Sequence, residues 1–278
     1  MLLGHYSPLT IRNYLSELRY LFVYYADVDP TDFTEDMIMQ YLLYLAKTLQ
    51  CSRVKCKMAA QSISFFFRHV LKKVYVIPTV IYPRKSSTLP PVMSAAEMKK
   101  LIDSVSNVKH RTIIMLLYST GMRLSEIAKL KIADIDSKNM RIKIVQGKGA
   151  KDRFTILSEQ VLLELRAYYL ICKPKEYLFN GYRPGKPMSA RNIEHLVQKA
   201  VAKIGLASKH YTVHTIRHSF ATHLVDNGTD LHTVKELLGH TSLQTTMRYM
   251  HLTAARTRGI INPYDVLLQQ HTKDDHNK

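Results

Sequence analysis

The segment "TVHTIRHSFATHL" places His214 and Arg217 three residues apart, so that both side chains share one face at the start of a helix. A histidine can exchange a proton near neutral pH, and a guanidinium can bind two phosphate oxygens at once. His218 and His223 fall on other faces and are predicted to pack or to cap. A His-x-x-Arg pair alone is more often a chance arrangement on a helix surface than a functional site.

Two basic residues upstream are equally ambiguous. In "STGMRLSEIAKL", Arg123 follows Gly121, which suits a turn or a close approach, and precedes Glu126 by three residues. This spacing is usually a helix-surface ion pair worth a few tenths of a kcal/mol, or else a guanidinium held in place by its carboxylate. In "GKGAKDR", Lys148 is usually a solvated turn residue, but its ammonium can also reach into a DNA groove and deliver a proton.

The segment "ELLGHTSLQTTMRYMH" contains the last two candidates. His240 follows Leu-Leu-Gly, and Tyr249 stands nine residues beyond it. Tyr249 is one of 17 tyrosines, and nothing in its immediate neighbourhood distinguishes it from the others. A free phenol has a pKa of about 10, so a tyrosine nucleophile needs a proton acceptor or strong positive charge nearby.

The elements that hold these residues are predicted to be mainly helical. Ser7 before Pro8 starts a first helix, Thr34 caps a second, and Ser94 with Glu97 forms a capping box. Helical periodicity predicts the following segments: Ile11–Phe22, Met37–Leu45, Arg53–Val70, a helix opening at Ser94, a helical run from Arg123, Val161–Leu170, Ser189–Ile204, Thr215–Asp226 and Leu231–Leu238.

One stretch alternates with period two instead. Apolar residues at 140, 142 and 144 alternate with Arg141 and Lys143, and Phe154 and Ile156 alternate again after a turn at 147–149. This pattern predicts a β-hairpin with a basic tip. The fold class expected is therefore mainly α with a small antiparallel β-sheet or hairpin.

Prolines divide the chain into two predicted domains. Pro78, Pro83, Pro90 and Pro91 stand among polar and basic residues, which indicates an extended linker. We expect a helical domain at 1–81, a linker at 82–93 and a second domain at 94–278.

The charge is the strongest bulk signal. Lys and Arg number 40 against 22 Asp and Glu, a formal charge of +18 spread along the whole chain. This excess favours a nucleic acid partner over a membrane surface, although a basic charge can also simply keep a protein in solution. Three cysteines do not form a disulfide framework, so a reducing cytoplasm is expected. No carboxylate cluster suits magnesium, and Cys51 and Cys56 lack partners for zinc.

Together, and in this order, the motifs resemble those of the tyrosine recombinases, also called the phage integrase family. "STGMRLSEIAKL", "GKGAKDR", "HTIRHSFATHLVDNG" and "VKELLGHTSLQTTMRYMHL" are most similar to Xer recombinases and to integrases of mobile elements. "YSPLTIRNYLSELRYLF" resembles the helical core-binding domain of that family, of SAM-like fold. The resemblance implies a core-binding domain followed by a catalytic domain.

The resemblance also implies a mechanism. Tyr249 would attack a DNA phosphodiester, leaving a 3′-phosphotyrosyl link and a free 5′-hydroxyl, with no cofactor, metal or ATP. Arg123 and Arg217 would bind the non-bridging oxygens, and His240 would hydrogen-bond the scissile phosphate. His214 would assist proton transfer at the tyrosine and Lys148 would protonate the leaving oxygen.

The implied partner is double-stranded DNA with inverted-repeat recombination sites, bound by a homotetramer or together with a sister recombinase in the bacterial nucleoid. Glu126 would have a supporting role. Only six residues precede Ser7, so part of the usual first helix is expected to be missing. The segment "GIINPYDVLLQQ" is expected to form a last helix that docks in cis or on a neighbouring subunit. The alternatives are a type IB topoisomerase-like enzyme, a DNA-binding regulator of the same fold, and a helix-turn-helix transcription factor.

Overall fold

The structure is a computed structural model that describes residues 6–73, 90–145, 152–183 and 185–249. The chain divides into two compact units, within residues 1–88 and 89–278. Helices of the first unit are α1 (Pro8–Tyr24), α2 (Glu35–Leu43) and α3 (Arg53–His69). Helices of the second are α4 (Ala95–Asp103), α5 (Val108–Thr120), α6 (Leu124–Lys129), α7 (Glu159–Cys172), α8 (Ala190–Lys203), α9 (Val213–Asp226), α10 (Leu231–Leu238) and α11 (Leu243–Met247).

The helix starts follow from local capping chemistry. The Ser7 hydroxyl accepts the backbone N–H of Thr10 at 3.1 Å with Pro8 in the first turn, and Thr34 caps α2 in the same way. Ser94 and Glu97 form the predicted capping box of α4. In the first unit, α1 and α3 pack together over an apolar core, so the helical prediction for this unit is confirmed.

A three-stranded antiparallel sheet interrupts the helices of the second unit. Its strands, in spatial order, are β1 (Ile135–Asp136), β2 (Arg141–Ile144) and β3 (Arg153–Ile156). Ile142 and Ile144 are buried while Arg141 and Lys143 are exposed, as the alternation predicts. The hairpin is confirmed, but the two-residue strand β1 was not predicted. The predicted tip, including Lys148, lies outside the described residues.

Helix α5 forms the centre of the second unit. Ile113, Ile114, Leu116 and Leu117 are all 0% exposed, and α5 packs against both α7 and α9. A helix that is buried on several sides has no single apolar face opposite a polar one, so the periodicity of the sequence did not reveal α5. The predicted helices at α7, α8, α9 and α10 agree with the structure to within about two residues at each end, the usual uncertainty of helix limits.

Most of the predicted linker also lies outside the described residues, which resume at Pro90. From there the chain is attached to the second unit, because the backbone N–H of Met93 donates to Ser219 Oγ of α9 at 2.8 Å. Within the described ranges, no helix combines the length and the apolar character needed to cross a bilayer.

Gly121 ends α5 and turns the chain toward α6. Its φ of +58° is in the left-handed region, and its N–H caps the helix by donating to the Leu117 carbonyl. A Cβ atom at this position would lie 2.7 Å from Cε1 of Phe220 and 2.9 Å from Cδ2 of Leu238. The sequence-based expectation of a turn with a close approach is therefore confirmed.

Gly121→Ala is expected to destabilise the protein by about 2 to 4 kcal/mol, since the left-handed conformation costs about 1 kcal/mol and overpacking adds about 1 to 3. Urea unfolding measures the free energy of unfolding. The matched control is Gly228→Ala, where φ is +88° but a Cβ atom meets nothing within 4 Å, so only the strain is added. Equal losses in the two variants would show that the contact with α9 and α10 is unimportant.

Candidate active site

Three arginines from three different elements bind the carboxyl end of α10. Arg153 Nε donates to the Leu237 carbonyl at 3.1 Å, Arg217 Nη2 to the Leu238 carbonyl at 2.7 Å, and Arg123 Nη2 to the Gly239 carbonyl at 3.0 Å. The last carbonyls of a helix have no partner within the helix and carry partial negative charge. The end of α10 therefore gathers three guanidinium groups in one place.

A glycine makes this arrangement possible. Gly239 ends α10 with φ +62°, and its N–H donates to the Glu236 carbonyl while that of His240 donates to the Lys235 carbonyl. The amides of the cap therefore donate to the carbonyls of Lys235 and Glu236. The next three carbonyls, of residues 237 to 239, remain as acceptors for the arginines. The Gly-His element singled out in the sequence is this cap.

Glu126 is the carboxylate that holds two of the arginines. It accepts from Arg123 Nη1 at 2.9 Å and from the Arg123 backbone N–H at 2.7 Å, and both of its oxygens accept from Arg153 at 2.8 Å. Its side chain is only 6% exposed. Burial alone would raise the pKa of Glu126, but the hydrogen bonds from Arg153 and Arg123 lower it to about 2. The sequence-based alternative of a guanidinium held by its carboxylate is the one the structure contains.

Arg217 is the most deeply buried of the three. It is 5% exposed and also donates through Nη1 to the Gly121 carbonyl. Burial, and then repulsion from Arg123, lowers its pKa to about 10, so it stays charged at neutral pH. Three guanidinium groups and one carboxylate leave two uncompensated positive charges in this cluster, which suits a bound anion.

His240 lies beside this cluster in a defined tautomer. Its Nε2 is 3.2 Å from Arg217 Nη2, and because a guanidinium only donates, Nε2 must be the acceptor. The proton is therefore on Nδ1, which donates to Thr246 Oγ1 at 2.9 Å. Burial, together with the charges of Arg217 and Arg123, lowers the pKa of His240 to about 3 and keeps the ring neutral.

Tyr249 follows the short helix α11 and is 1% exposed. Its ring lies nearly parallel to that of His240, with centroids 6.2 Å apart, and packs with Phe220, Val234 and other side chains of α9 and α10. Burial raises the pKa of the phenol, and the nearby arginines offset this only in part. The tyrosine is therefore a neutral phenol at pH 7.

The hydroxyl of Tyr249 points to His218. Oη lies 3.0 Å from His218 Nδ1, and burial together with Arg248 lowers the pKa of His218 to about 4. The Tyr249 hydroxyl and the neutral imidazole of His218 therefore share one hydrogen bond. His218 packs, as the sequence predicted, with its ring centroid 5.6 Å from that of Tyr249, but its contact with the hydroxyl was not predicted. His223 also packs, with its Nδ1 2.8 Å from the Tyr118 hydroxyl.

The structure brings together four of the six site residues predicted from the sequence: Arg123, Arg217, His240 and Tyr249. His214 is exposed in the first turn of α9, one turn before His218. Lys148 lies outside the described residues. Arg153 and Thr246 were missed. The alternation of β3 could not reveal Arg153, because the apolar Phe154 and Ile156 lie outward, 46% and 44% exposed, while the arginine side chain turns inward.

No group of three or more His, Cys, Asp or Glu side chains in the described part of the chain is placed to hold a metal ion.

Comparison with known proteins agrees with this fold. The family described as "Phage integrase family" matches residues 91–256, and the "Phage integrase, N-terminal SAM-like domain" matches residues 1–76. Integrase/recombinase y4qK of Sinorhizobium fredii is 34% identical over 96% of this chain and 86% of its own length. Tyrosine recombinase XerC of Staphylococcus saprophyticus is 32% identical over 92% of this chain and 90% of its own length.

Among solved structures, the XerH site-specific recombinase bound to palindromic difH substrate in a post-cleavage complex has a similar fold. The TM-score is 0.76 at 24% identity, covering 89% of this chain and 78% of that chain. The chain therefore belongs to the phage integrase family and is a tyrosine recombinase, an enzyme of site-specific recombination.

The low pKa of Glu126 predicts a pH dependence of stability. An unperturbed glutamate has a pKa of about 4.3, whereas that of Glu126 in the folded chain is about 2. Between these two pH values the unfolded chain binds more protons than the folded chain. The contribution of Glu126, about 3 kcal/mol, is complete above the unfolded pKa and is lost as the pH falls toward 2. Urea unfolding at pH 5 and pH 3 should show a steeper loss for the wild type than for Glu126→Gln. The same pH dependence in both proteins would contradict this account.

Proposed function

We propose that Tyr249 is the nucleophile of strand cleavage in double-stranded DNA. Its Oη attacks the phosphorus of a phosphodiester, the Oη–P bond forms as the bond from phosphorus to the 5′-oxygen breaks, and a 3′-phosphotyrosyl link remains. The link retains the energy of the phosphodiester, so a 5′-hydroxyl of another strand can reverse the step and rejoin the DNA. The observation that carries this proposal is the convergence of Arg123 and Arg217 on the helix end that leads to His240 and Tyr249.

The electrostatics of the cluster support phosphoryl transfer. A phosphodiester carries one negative charge, and the transition state of attack by a phenolate carries two, matching the two uncompensated positive charges. Arg123 uses two of its five side-chain N–H groups, to Glu126 and Gly239, and three contacts hold the Arg217 guanidinium, with Gly121, Leu238 and His240. Fixed donors of this kind stabilise a charge that develops in the transition state without reorganising.

A bound phosphate changes the protonation of His240. The phosphate would compete with Nε2 for the N–H groups of Arg217, and its negative charge would offset the arginines that lower the pKa of His240. A proton gained at Nε2 then allows His240 to donate to a phosphate oxygen. His240 therefore takes up its role as phosphate donor only in the complex with DNA.

Proton transfer at the two reacting oxygens belongs to other groups. Lys148, which stands in the sequence between β2 and β3, protonates the leaving 5′-oxygen, and His214 assists at the tyrosine. The Tyr249 hydroxyl is hydrogen-bonded to His218, and at 1% exposure the side chain is too deeply buried to meet a phosphate. Cleavage thus requires Tyr249 to leave His218 and approach the phosphate held by the arginines.

Exchange between two duplexes requires four cut strands, which four copies of the chain on inverted-repeat sites would supply, alone or with a sister recombinase. The unit within residues 1–88 acts as the core-binding domain and the second unit as the catalytic domain. The net charge of +18 favours binding to the phosphate backbone and placement in the bacterial cytoplasm at the nucleoid. The orientation of the two sites decides whether integration, excision, inversion or dimer resolution results, and the resemblance to integrases favours a mobile element.

Tyr249→Phe is expected to bind the recombination site normally and to form no covalent protein–DNA adduct. Footprinting on the DNA beside its gene locates the site, and a duplex nicked next to the cleavage position traps the adduct for denaturing electrophoresis. The matched control is Tyr168→Phe, which removes an equally buried hydroxyl that donates to the Leu178 carbonyl at 2.8 Å. It should form the adduct as the wild type does.

A covalent adduct with Tyr249→Phe would reject Tyr249 as the nucleophile. A wild type that binds the site and forms no adduct would favour a DNA-binding regulator. Adduct formation with relaxation of supercoiled DNA and no strand exchange would favour a topoisomerase-like enzyme.

Cleavage is also expected to survive chelation, because arginines and a lysine supply the charge that other phosphoryl-transfer enzymes take from a divalent metal. Adduct yield on the nicked duplex should be equal with and without EDTA. Loss of the adduct in EDTA, restored by magnesium, would instead indicate a metal-dependent nuclease or transposase.

A further inference from the structure

Arg153 is a third arginine of the cluster, and the cleavage chemistry proposed above assigns it no part. It is the first residue of β3, and its side chain turns to the buried face of the sheet and is 11% exposed. Each of its three nitrogens donates: Nη1 and Nη2 to the two oxygens of Glu126 at 2.8 Å, and Nε to the Leu237 carbonyl at 3.1 Å. All three guanidinium nitrogens are therefore engaged by protein acceptors, whereas the contacts described for Arg123 and Arg217 engage Nη1 and Nη2 and leave Nε out.

The two groups that Arg153 holds are the supports of the other catalytic side chains. Glu126 binds both the guanidinium and the backbone N–H of Arg123. The Leu237 carbonyl is adjacent in the chain to the acceptors of Arg217 and Arg123, and His240 follows directly. A displacement of Arg153 would therefore move Arg123 through Glu126, and the end of α10 through the Leu237 carbonyl.

The space around Arg153 is shaped for its side chain. A Cβ atom on Gly239 would lie 2.7 Å from Cδ, 2.8 Å from Nε and 3.0 Å from Cζ of Arg153. Gly239 thus serves two purposes, since it adopts the left-handed helix cap and leaves room for the arginine. A planar fork with three donors fits these acceptors, whereas the single ammonium of a lysine does not.

From this geometry we infer that Arg153 is a positioning residue for strand cleavage, which acts through Glu126 on Arg123 and through Leu237 on the end of α10. Arg153 also connects Arg123 and the end of α10 to the hairpin, because it is the first residue of β3. Lys148 stands five residues before it in the sequence. The inference rests on the proposed function and adds to it a residue that does not touch the DNA.

The experiment compares Arg153→Met and Arg153→Lys with the wild type on the nicked duplex at saturating protein. A misplacement of about 1 Å costs about 100-fold in rate, so Arg153→Met should cleave about 100-fold more slowly with its affinity for DNA changed by less than about threefold. Arg153→Lys keeps the charge and loses the fork, so it should still cleave at least about tenfold more slowly than the wild type.

The matched control for folding is Arg111→Met. Arg111 also forms a partly buried pair with one carboxylate, its Nε and Nη2 lying 2.9 and 2.8 Å from Oε1 of Glu164 between α5 and α7. Urea unfolding should show a loss of stability in both methionine variants, and cleavage is measured at a temperature where both are folded. Only Arg153→Met should lose cleavage.

A double-mutant cycle with Glu126→Gln tests the route of the effect. In that background Arg153→Met should cost about tenfold, well below the full loss, because the route through Glu126 is already weakened and the contact with the Leu237 carbonyl is the one left to lose. The full 100-fold loss in the Gln background, an equal loss of binding and cleavage, or the same cleavage loss in Arg111→Met would each overturn the inference. Failure of the wild type to form an adduct would reject the proposed function and this inference together, whereas normal cleavage by Arg153→Met would reject the inference alone.

Discussion

The carboxyl end of α10 is the constraint on which the site depends. Three successive carbonyls, at residues 237 to 239, each accept from an arginine of a different element: the strand β3, the helix α9 and the turn before α6. Unpaired carbonyls at a helix end attract positive charge, and each hydrogen bond to a charged donor contributes about 1.5 to 3 kcal/mol. The same contacts that complete the helix therefore fix the guanidinium groups of Arg123 and Arg217, which the proposed function assigns to a phosphate. Under that proposal, stability and function share one set of hydrogen bonds.

The cluster is nevertheless electrostatically unfavourable without its ligand. Arg123, Arg153 and Arg217 repel one another, and the lowered pKa of Arg217 records both this repulsion and its burial. Glu126 offsets one of the three positive charges, and under the proposed function DNA offsets the remainder. A ligand that binds only the folded state stabilises it by mass action, and the first phosphate to enter this site relieves repulsion as well. Active sites commonly carry such a cost in stability in exchange for preorganised charge.

Much of this could be predicted because the signals are local. The Ser7 and Thr34 caps, the Ser94–Glu97 capping box and the alternation of β2 each need only neighbouring residues. The order of polar residues along the chain also singled out Arg123, Arg217, His240 and Tyr249, which the structure brings together. The partners of these residues could not be predicted, since they come from contacts between distant segments. Arg153 joins β3 to Glu126 and α10, and His218 meets a tyrosine 31 residues away, neither of which periodicity can reveal.

At Tyr249, the order of residues in the sequence and the contacts between distant segments both matter. Burial raises the pKa of Tyr249, and its hydroxyl lies 3.0 Å from Nδ1 of His218, so the phenol is protonated and enclosed. Its ring packs on Phe220 and Val234 and against the rings of His218 and His240, just after a helix of five residues. The guanidinium groups, by contrast, are held by Glu126 and by the carbonyls at the end of α10. Under the proposed function, the nucleophile therefore has to move toward arginines that are already in place, rather than the site assembling around the nucleophile.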